Sequence, residues 1–388
     1  MNAKAPEHAI HVGLALSGGG VRAAAFHAGV LRYLAEHDQL ESVVHISSVS
    51  GGSLFMGLVF SASHYQWPSS SEYQSTVFPH IRNVLTTRCL QCSALCRLLV
   101  QPLNWRFLMA RANVLERTIQ SLWGIDMPLG RITSKPMWSI NATTAETGRR
   151  FRFKAGQMGD YELGYADSST ISLAAAMAVS AAFPGGIGPL SLRTQDYQWR
   201  KRSSWNVTDN PKPHIPMFAR LHLYDGGLYD NLGIEPLFDV GSQSIKTTDE
   251  EHVNYLLVSD AGAALSRAPI PSSLNPLRFK RIADIALDQT RALRVRAFVN
   301  FLKNNPAHGA YLQLGANPVQ SINLFSKGRE HLATCLLEHE WLQADDVEAA
   351  ATYPTTLRQL TGSEFDLIAR HGFETACWNV ELLGETFR

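Results

Sequence analysis

Two glycine-rich turns carry residue types that suit acyl transfer. Residues 16–29 read Leu-Ser-Gly-Gly-Gly-Val-Arg-Ala-Ala-Ala-Phe-His-Ala-Gly, and Ser50-Gly-Gly-Ser53 follows later in the chain. Each turn comes after a short apolar run and precedes a helix-like stretch. The backbone N–H groups of Gly18, Gly19 and Gly20 would lie at a helix N-terminus, where negative charge is stabilised. The first turn is therefore predicted to hold an oxyanion, and the second offers a hydroxyl nucleophile.

Ser50 is the candidate nucleophile. A nucleophilic serine on an α/β sheet usually lies in a strained turn between a strand and a helix, flanked by small residues that leave room for the backbone. The stretch Ser48-Val-Ser-Gly-Gly52 has this form, with Ser48 where a glycine is usual. The same residues also suit an N-cap for the helix that begins near Ser53, and the sequence leaves both interpretations open.

Asp225 is the candidate general base. It follows the predicted strand Leu221–Tyr224 and precedes two glycines. Open α/β sheets hold their sites at such strand ends, so this carboxylate could take the proton of the serine hydroxyl. The alternative is an ordinary Asp-Gly turn. The joint presence of Ser50, Asp225 and the first glycine turn favours the hydrolase.

Arg22 lies in the first predicted helical turn after the glycines. Its guanidinium there is suited to hold a substrate phosphate, or to support the oxyanion, through bidentate hydrogen bonds. The alternatives are a solvated helix position or an ion pair with Asp38 or Glu41.

The first glycine turn also fits a dinucleotide-binding fingerprint. Residues 18–23, Gly-Gly-Gly-Val-Arg-Ala23, match G-x-G-x-x-G/A, and Glu41 stands near the position of the usual acidic residue. This match would indicate an oxidoreductase with a nicotinamide or flavin cofactor. It leaves the Ser50 and Asp225 motifs unexplained, so we favour the hydrolase.

Strand-like and helix-like stretches alternate along the chain, which is typical of an α/β fold around a mostly parallel sheet. The predicted strands are 9–16, 43–48, 137–143, 151–154, 221–224 and 255–259. The predicted helices are 21–37, 53–62, a long region from 76 to 123, 171–182, 234–240 and 276–304, and a hairpin turn is predicted at 146–149. We expect one domain over residues 9–388, with a helical insertion at about 76–123 and a helical C-terminal extension from about 276.

Composition bounds the function classes. The chain has 388 residues, 45% of them hydrophobic, and a formal net charge of +1, which is ordinary for a soluble enzyme and gives no sign of a nucleic-acid partner. Neither a signal peptide nor a membrane-spanning run is evident, so we expect a cytoplasmic protein. Five cysteines argue against a disulfide scaffold. Cys89, Cys92 and Cys96 fall short of a zinc motif and have apolar neighbours, so we expect a buried helix face and neither a metal nor a cofactor.

Two basic segments contain bulky apolar residues. The first has Arg82, Arg88, Arg97, Arg106, Arg111 and Arg117, with Trp105 and Phe107–Met109 among them, and the second is 276–304. Such segments suit peripheral contact with an anionic lipid surface, or a cap whose arginines face water. A lipid-binding protein without catalytic activity would share this feature.

Three motifs, in this order and with suitable spacing, resemble the patatin-like phospholipases. They are Leu16-Ser-Gly-Gly-Gly-Val-Arg-Ala23, Ser48-Val-Ser-Gly-Gly-Ser53 and Tyr224-Asp-Gly-Gly-Leu-Tyr-Asp-Asn231. The alanine-rich run Ala174–Pro184 is similar to the helix before that family's third block. The Ser-Gly-Gly-Gly-x-Arg form also resembles the related cytosolic phospholipase A2 group. The resemblance covers about residues 9–262.

The resemblance implies a three-layer α/β sandwich, with helices on both faces of a central, mostly parallel sheet, and a catalytic dyad without histidine. It implies Ser50 as nucleophile, Asp225 as base, Gly18–Gly20 as oxyanion hole and Arg22 as the basic residue after the glycines. The substrate would be a fatty-acyl ester of a phospholipid or related lipid, met at a membrane surface. No oligomeric state is indicated.

A conventional Ser-His-Asp esterase is the alternative to the dyad. On an extended strand His222 would face away from Asp225. The later histidines suit the chain order of that triad, although none of them lies in a recognisable turn: His252, His308, His331, His339 and His371.

Overall fold

The computed structural model describes residues 9–100, 111–184, 187–202, 210–246, 252–265, 267–272, 275 and 277–383. The strands are β1 (Val12–Leu16), β2 (Val43–Ser48), β3 (Met137–Thr144), β4 (Arg150–Phe153), β5 (Met158–Asp160), β6 (Gly164–Ala166), β7 (Leu190–Arg193), β8 (Trp199–Lys201), β9 (Lys212–His214), β10 (Arg220–Asp225), β11 (Phe238–Asp239), β12 (Ser244–Ile245), β13 (Tyr255–Asp260) and β14 (Gly309–Gln313).

The α-helices are α1 (Gly20–Glu36), α2 (Gly51–Ala62), α3 (Ser70–Glu72), α4 (Phe78–Thr87), α5 (Leu90–Val100), α6 (Ala112–Thr118), α7 (Leu173–Ser180), α8 (Gly227–Asp230), α9 (Leu277–Asn304), α10 (Pro318–Phe325), α11 (Glu330–Leu337), α12 (Ala344–Thr352) and α13 (Gly362–Leu383). Single π-helical turns at Tyr73–Val77 and Ile119–Trp123 adjoin α4 and α6. The long region predicted as helical is therefore a series of short helices.

The central sheet is parallel at its centre. In the described ranges the strand order is β14-β13-β1-β2-β3-β4-β5-β6-β8-β9, and the first five strands of this order run parallel. The strands beyond β3 pair antiparallel, and β10 runs antiparallel to β3 and β7. The predicted hairpin joins β3 to β4. The predicted α/β fold with a mostly parallel central sheet is confirmed.

Helices cover both faces of this sheet because the central strands are apolar on both sides. On β1, Leu14 and Leu16 face the core that includes α1, α2 and α13, whereas Ala15 faces the core that includes α9. The C-terminal helix α13 packs directly on α1: a Cβ on Gly372 would lie 2.1 Å from the Phe26 carbonyl oxygen. This packing favours the single domain that we predict.

Two local predictions are wrong. Residues 234–240 form a turn and the short strand β11 instead of a helix, because Phe238 and Asp239 pair with Ile245 and Ser244 of β12. Cys89 and Cys92 form a disulfide, and Cys92 and Cys96 are exposed, so they are not a buried helix face.

Arginines of the basic insertion bind residues outside it and within it. Arg82 forms an ion pair with Asp366 at 2.6 Å, and Arg97 donates to Ser121. Arg106, Trp105 and Phe107–Met109 lie outside the described residues. None of the helices in the described ranges combines the length and hydropathy needed to cross a bilayer.

Candidate active site

The two predicted catalytic loops meet because β2 and β10 end at the same place along β3. Ser48 at the end of β2 pairs with Ile140, and Asp225 at the end of β10 pairs with Ala142. β4 occupies the other edge of β3, so β2 and β10 share one edge and approach each other head-on. The residue two positions beyond Ser48 therefore faces Asp225. That residue is Ser50.

Ser50 lies in a strained turn between β2 and α2. Its φ of 51° and ψ of −117° place it in a region that residues with side chains rarely occupy. It precedes the first residue of α2, yet its hydroxyl makes no capping hydrogen bond. The N-cap interpretation of the side chain is therefore wrong, and the hydroxyl is available at the cavity.

Buried hydroxyl groups hold this turn from below. The Ser50 backbone N–H donates to Ser180 Oγ at 3.0 Å, and Ser180 Oγ donates to the Asn141 carbonyl at 2.7 Å. Ser53 Oγ lies 2.8 Å from both Ser180 Oγ and Ser48 Oγ. Ser48, which replaces the usual glycine, is thus accommodated by polar contacts. Ser180 was not predicted; its signal was a hydroxyl in an otherwise alanine-rich helix.

Asp225 is buried and faces Ser50. Burial raises the pKa of its carboxyl to about 7, although the hydrogen bond from the Gly227 N–H and the interaction with the Ser50 hydroxyl both lower it. Asp225 Oδ1 accepts from the Gly227 N–H at 2.7 Å, so the Asp-Gly turn is present as well. A carboxylate with this pKa is matched to proton transfer near neutral pH.

The glycine turn presents two free donors rather than three. The Gly18 N–H donates to the Asn231 carbonyl at 3.0 Å, so Gly18 is not a free donor. Within the described residues the N–H groups of Gly19 and Gly20 have no partner, and both precede the body of α1. Their φ angles of +148° and +63° require glycine. The expectation for Gly18 is thereby corrected: this residue leaves room for Asn231.

Arg22 is almost fully buried, with 1% of its surface exposed. Its guanidinium donates to the Tyr353 carbonyl, to Thr355 Oγ1 at 3.1 Å and to the Ala261 carbonyl at 3.1 Å. Burial lowers its pKa to about 10. The solvated position and the pairs with Asp38 or Glu41 are therefore wrong. Arg22 holds the segment 353–356 against the glycine turn, and its role toward a substrate phosphate stays a prediction.

A buried ion pair attaches α9 to this end of the sheet. Arg291 Nη2 lies 2.6 Å from Asp260 Oδ2 at the end of β13, and the same oxygen accepts from the Tyr311 hydroxyl at 2.6 Å. Gly262 donates its N–H to Asp260 Oδ1 at 3.0 Å. The pair thus fixes the loop whose Ala261 carbonyl binds the guanidinium of Arg22.

A cavity of about 720 Å³ opens above these residues, within the range of small-molecule sites. Ser50, Asp225, the glycine turn and Asn231 lie at its floor. One wall is apolar and comes from α5, α6 and the loop after α7: Leu95, Leu98, Val114, Leu115, Phe183 and Ile187. The α9 wall is charged, with Arg281, Asp284, Asp288 and Arg291. The cavity therefore suits an amphiphile with an acyl chain and a polar end.

The structure contradicts the dinucleotide-binding and Ser-His-Asp interpretations. Glu41 lies before β2, at the amino end of that strand, and both its oxygens accept from Ser70, at 2.7 and 2.6 Å. A dinucleotide site needs its acidic residue at the carboxyl end. His222 faces away from Asp225 and pairs with Glu146 at 2.6 Å, and no histidine is among the described residues that line the cavity.

Within the ranges that the structure describes, no cluster of three or more His, Cys, Asp or Glu side chains has a geometry that could hold a metal ion.

This chain matches one protein family and is similar in fold to solved structures. The sequence model of a family described as "Patatin-like phospholipase" matches residues 14–238. No significant match is found among curated proteins. Human GIVD cytosolic phospholipase A2 aligns over 96% of this chain and 59% of its own, with 15% identity and a TM-score of 0.53. VipD from Legionella pneumophila aligns over 96% of this chain and 66% of its own, with 14% identity and a TM-score of 0.34.

The chain spans less than two thirds of the length of these solved structures. At such identities the likeness to the human enzyme concerns the fold.

Proposed function

Because this chain belongs to the patatin-like phospholipase family, we propose that it is a lipid acyl hydrolase of the phospholipase A type, in which Ser50 and Asp225 form a catalytic dyad. The observation that carries this proposal is the head-on meeting of β2 and β10, which brings a strained serine to a buried carboxyl. The substrate is a fatty-acyl ester of a phospholipid or related lipid.

In the first half-reaction Asp225 takes the Ser50 proton as the hydroxyl oxygen attacks the ester carbonyl. The carbonyl oxygen becomes negatively charged and accepts from the N–H groups of Gly19 and Gly20 at the start of α1. The leaving alcohol takes the proton from Asp225, and the acyl group stays on Ser50. Water then releases the fatty acid. This chemistry needs no metal or organic cofactor.

The protein meets its substrate at a lipid surface through the helices beside the cavity mouth. α5 exposes Leu95, Leu99 and Val100 by 55%, 64% and 70%, and α9 exposes Phe279 and Ile282 by 78% and 52%. Both helices also line the cavity. Exposed apolar side chains that flank arginines suit insertion into the headgroup region of an anionic bilayer.

The dyad is tested with a panel of phospholipids and neutral lipids and detection of free fatty acid by mass spectrometry. Ser50→Ala and Asp225→Asn are each expected to abolish release while circular dichroism stays native. Ser71→Ala is the matched control, because Ser71 is exposed and lies outside the cavity. Near-native release by either dyad variant would refute the proposal, and lipid binding without release by the unmodified protein would indicate a binding protein.

The surface of the protein that we propose to contact lipid is tested by placing negative charges on it. Leu99→Asp and Phe279→Asp are expected to weaken binding to anionic vesicles and hydrolysis there, and to leave hydrolysis of a soluble ester unchanged. Ile215→Asp is the control, since Ile215 is 90% exposed and lines no part of the cavity. Equal loss with the control variant would contradict this orientation.

A further inference from the structure

The side chain of Asn231 lies between the two catalytic loops. A Cβ on Gly18 would lie 2.4 Å from Asn231 Oδ1, and a Cβ on Gly227 would lie 2.7 Å from the same oxygen. Those two Cβ positions would also lie 3.0 Å from Ser50 Cβ and 3.0 Å from Asp225 Oδ1, respectively. Two glycines, one from each loop, thus leave room for one amide beside both the nucleophile and the base.

This amide is fixed at its backbone and open at its side chain. The Asn231 carbonyl accepts from the Gly18 N–H, and the neighbouring Asp230 carboxylate holds the loop by accepting from the N–H groups of Leu232 and Glu235. The side chain lines the cavity, and it has no hydrogen-bond partner among the residues that the structure describes. A half-buried amide in this position is satisfied by water or substrate.

We propose that Asn231 is a catalytic residue of the hydrolytic half-reaction, an inference that rests on the proposed function. Asn231 Oδ1 accepts one hydrogen of the attacking water, and Asp225 takes the other as a proton. The water oxygen forms a bond to the acyl carbon of the Ser50 ester. When the tetrahedral intermediate collapses, the bond from that carbon to Ser50 Oγ breaks, Asp225 returns the proton to Oγ, and the fatty acid leaves.

The two half-reactions make different demands on the site. In acylation the nucleophile is part of the protein, and the strained turn fixes the position of the Ser50 oxygen. In deacylation the nucleophile is a free water molecule, and one carboxylate alone does not fix its orientation. A second acceptor beside Asp225 aims the water at the acyl carbon, and such positioning is a large part of the rate that enzymes gain.

The experiment separates these half-reactions. Asn231→Ala keeps the backbone carbonyl that binds Gly18, and rapid mixing with 4-nitrophenyl butyrate measures a burst for acylation and a steady rate for deacylation. The variant is expected to keep a burst rate within about threefold of the native enzyme, while the steady rate falls by about 10²-fold. Intact-mass measurement then shows a butyryl group accumulating on Ser50. Asn317→Ala, at the N-cap of α10 and outside the cavity, is the control.

Each outcome decides the inference. An unchanged steady rate, or a burst that slows in parallel with no accumulated acyl-enzyme, would overturn it. Asn231→Ser keeps an acceptor oxygen and is expected to deacylate faster than the alanine variant; a slower rate would also overturn it. If the unmodified protein never becomes acylated on Ser50, the proposed function itself fails, which is a separate result.

Discussion

Replacing Asp225 with asparagine is expected to remove ester hydrolysis and to stabilise the fold at neutral pH. The carboxyl is only 3% exposed. Burial raises its pKa from 3.8 to about 7, more than the Gly227 N–H and the Ser50 hydroxyl lower it. A raised pKa in an acid means that the folded protein disfavours the ionised form, so the ionised Asp225 carboxylate lowers the stability of the fold.

The cost depends on pH in a defined direction. Between about pH 4 and pH 7 the folded protein keeps a proton on Asp225 that the unfolded chain releases, so the free energy of unfolding falls as the pH rises. Above the folded-state pKa the carboxyl is ionised in both states and the whole cost is present. A pKa raised from 3.8 to about 7 corresponds to roughly 4 kcal/mol of lost stability.

Urea unfolding at two pH values measures this cost. Relative to the native protein, Asp225→Asn is expected to gain about 2 kcal/mol at pH 5 and roughly 4 kcal/mol at pH 8. Asp239→Asn is the control with the opposite sign, because N–H groups of Ser242 and Gly241 lower the pKa of the Asp239 carboxyl. It is expected to lose stability at pH 8. An asparagine variant at Asp225 that is no more stable at pH 8, or gains equally at both pH values, would refute the reasoning.

Three further outcomes follow from the same geometry. On a soluble ester, kcat/KM is expected to fall about tenfold per pH unit below about pH 7, as Asp225 becomes protonated; a flat profile to pH 5 would contradict this. Gly20→Ala is expected to lower kcat at least about 10²-fold, because the new Cβ would lie 2.3 Å from the Thr356 carbonyl oxygen and displace the glycine turn. Gly148 has a similar φ and nothing within 4 Å of its Cβ position, so Gly148→Ala should leave kcat unchanged. Arg291→Ala leaves the Asp260 carboxylate buried without its cation, so urea unfolding should show a loss of about 3–5 kcal/mol, and a loss under about 1 kcal/mol would contradict the buried ion pair.

The sequence predicts those parts of the site whose geometry depends on residues that are neighbours in the chain. Ser50 is a nucleophile candidate because the turn between β2 and α2 needs small residues, and those are neighbours in sequence. The bounds of β2 were predicted without error, since an apolar run between turns defines them. Asp225 is a candidate base because it follows a strand end, where open α/β sheets hold their sites, and precedes two glycines.

The parts that the sequence did not predict depend on distant segments. The N–H of Gly18 is bound to the carbonyl of Asn231, which only the folded chain brings near. Arg22 is buried by the segment 353–356, for which no motif exists. The strand β10 runs antiparallel to β3, although the alternation of strands and helices predicted a mostly parallel sheet. Short strands such as β5 and β6 contain glycines, and they have too few apolar residues to show the alternation of apolar and polar residues that predicts a strand.

The central claim, that Ser50 is the nucleophile and Asp225 activates it, is tested most directly by covalent labelling. The protein is incubated with a long-chain alkyl fluorophosphonate, digested, and mapped by tandem mass spectrometry. We expect one phosphonyl group, carried by Ser50, and a much slower reaction of Asp225→Asn at the same residue. Labelling of another side chain, or labelling of Ser50 at an undiminished rate in the Asp225 variant, would contradict the dyad.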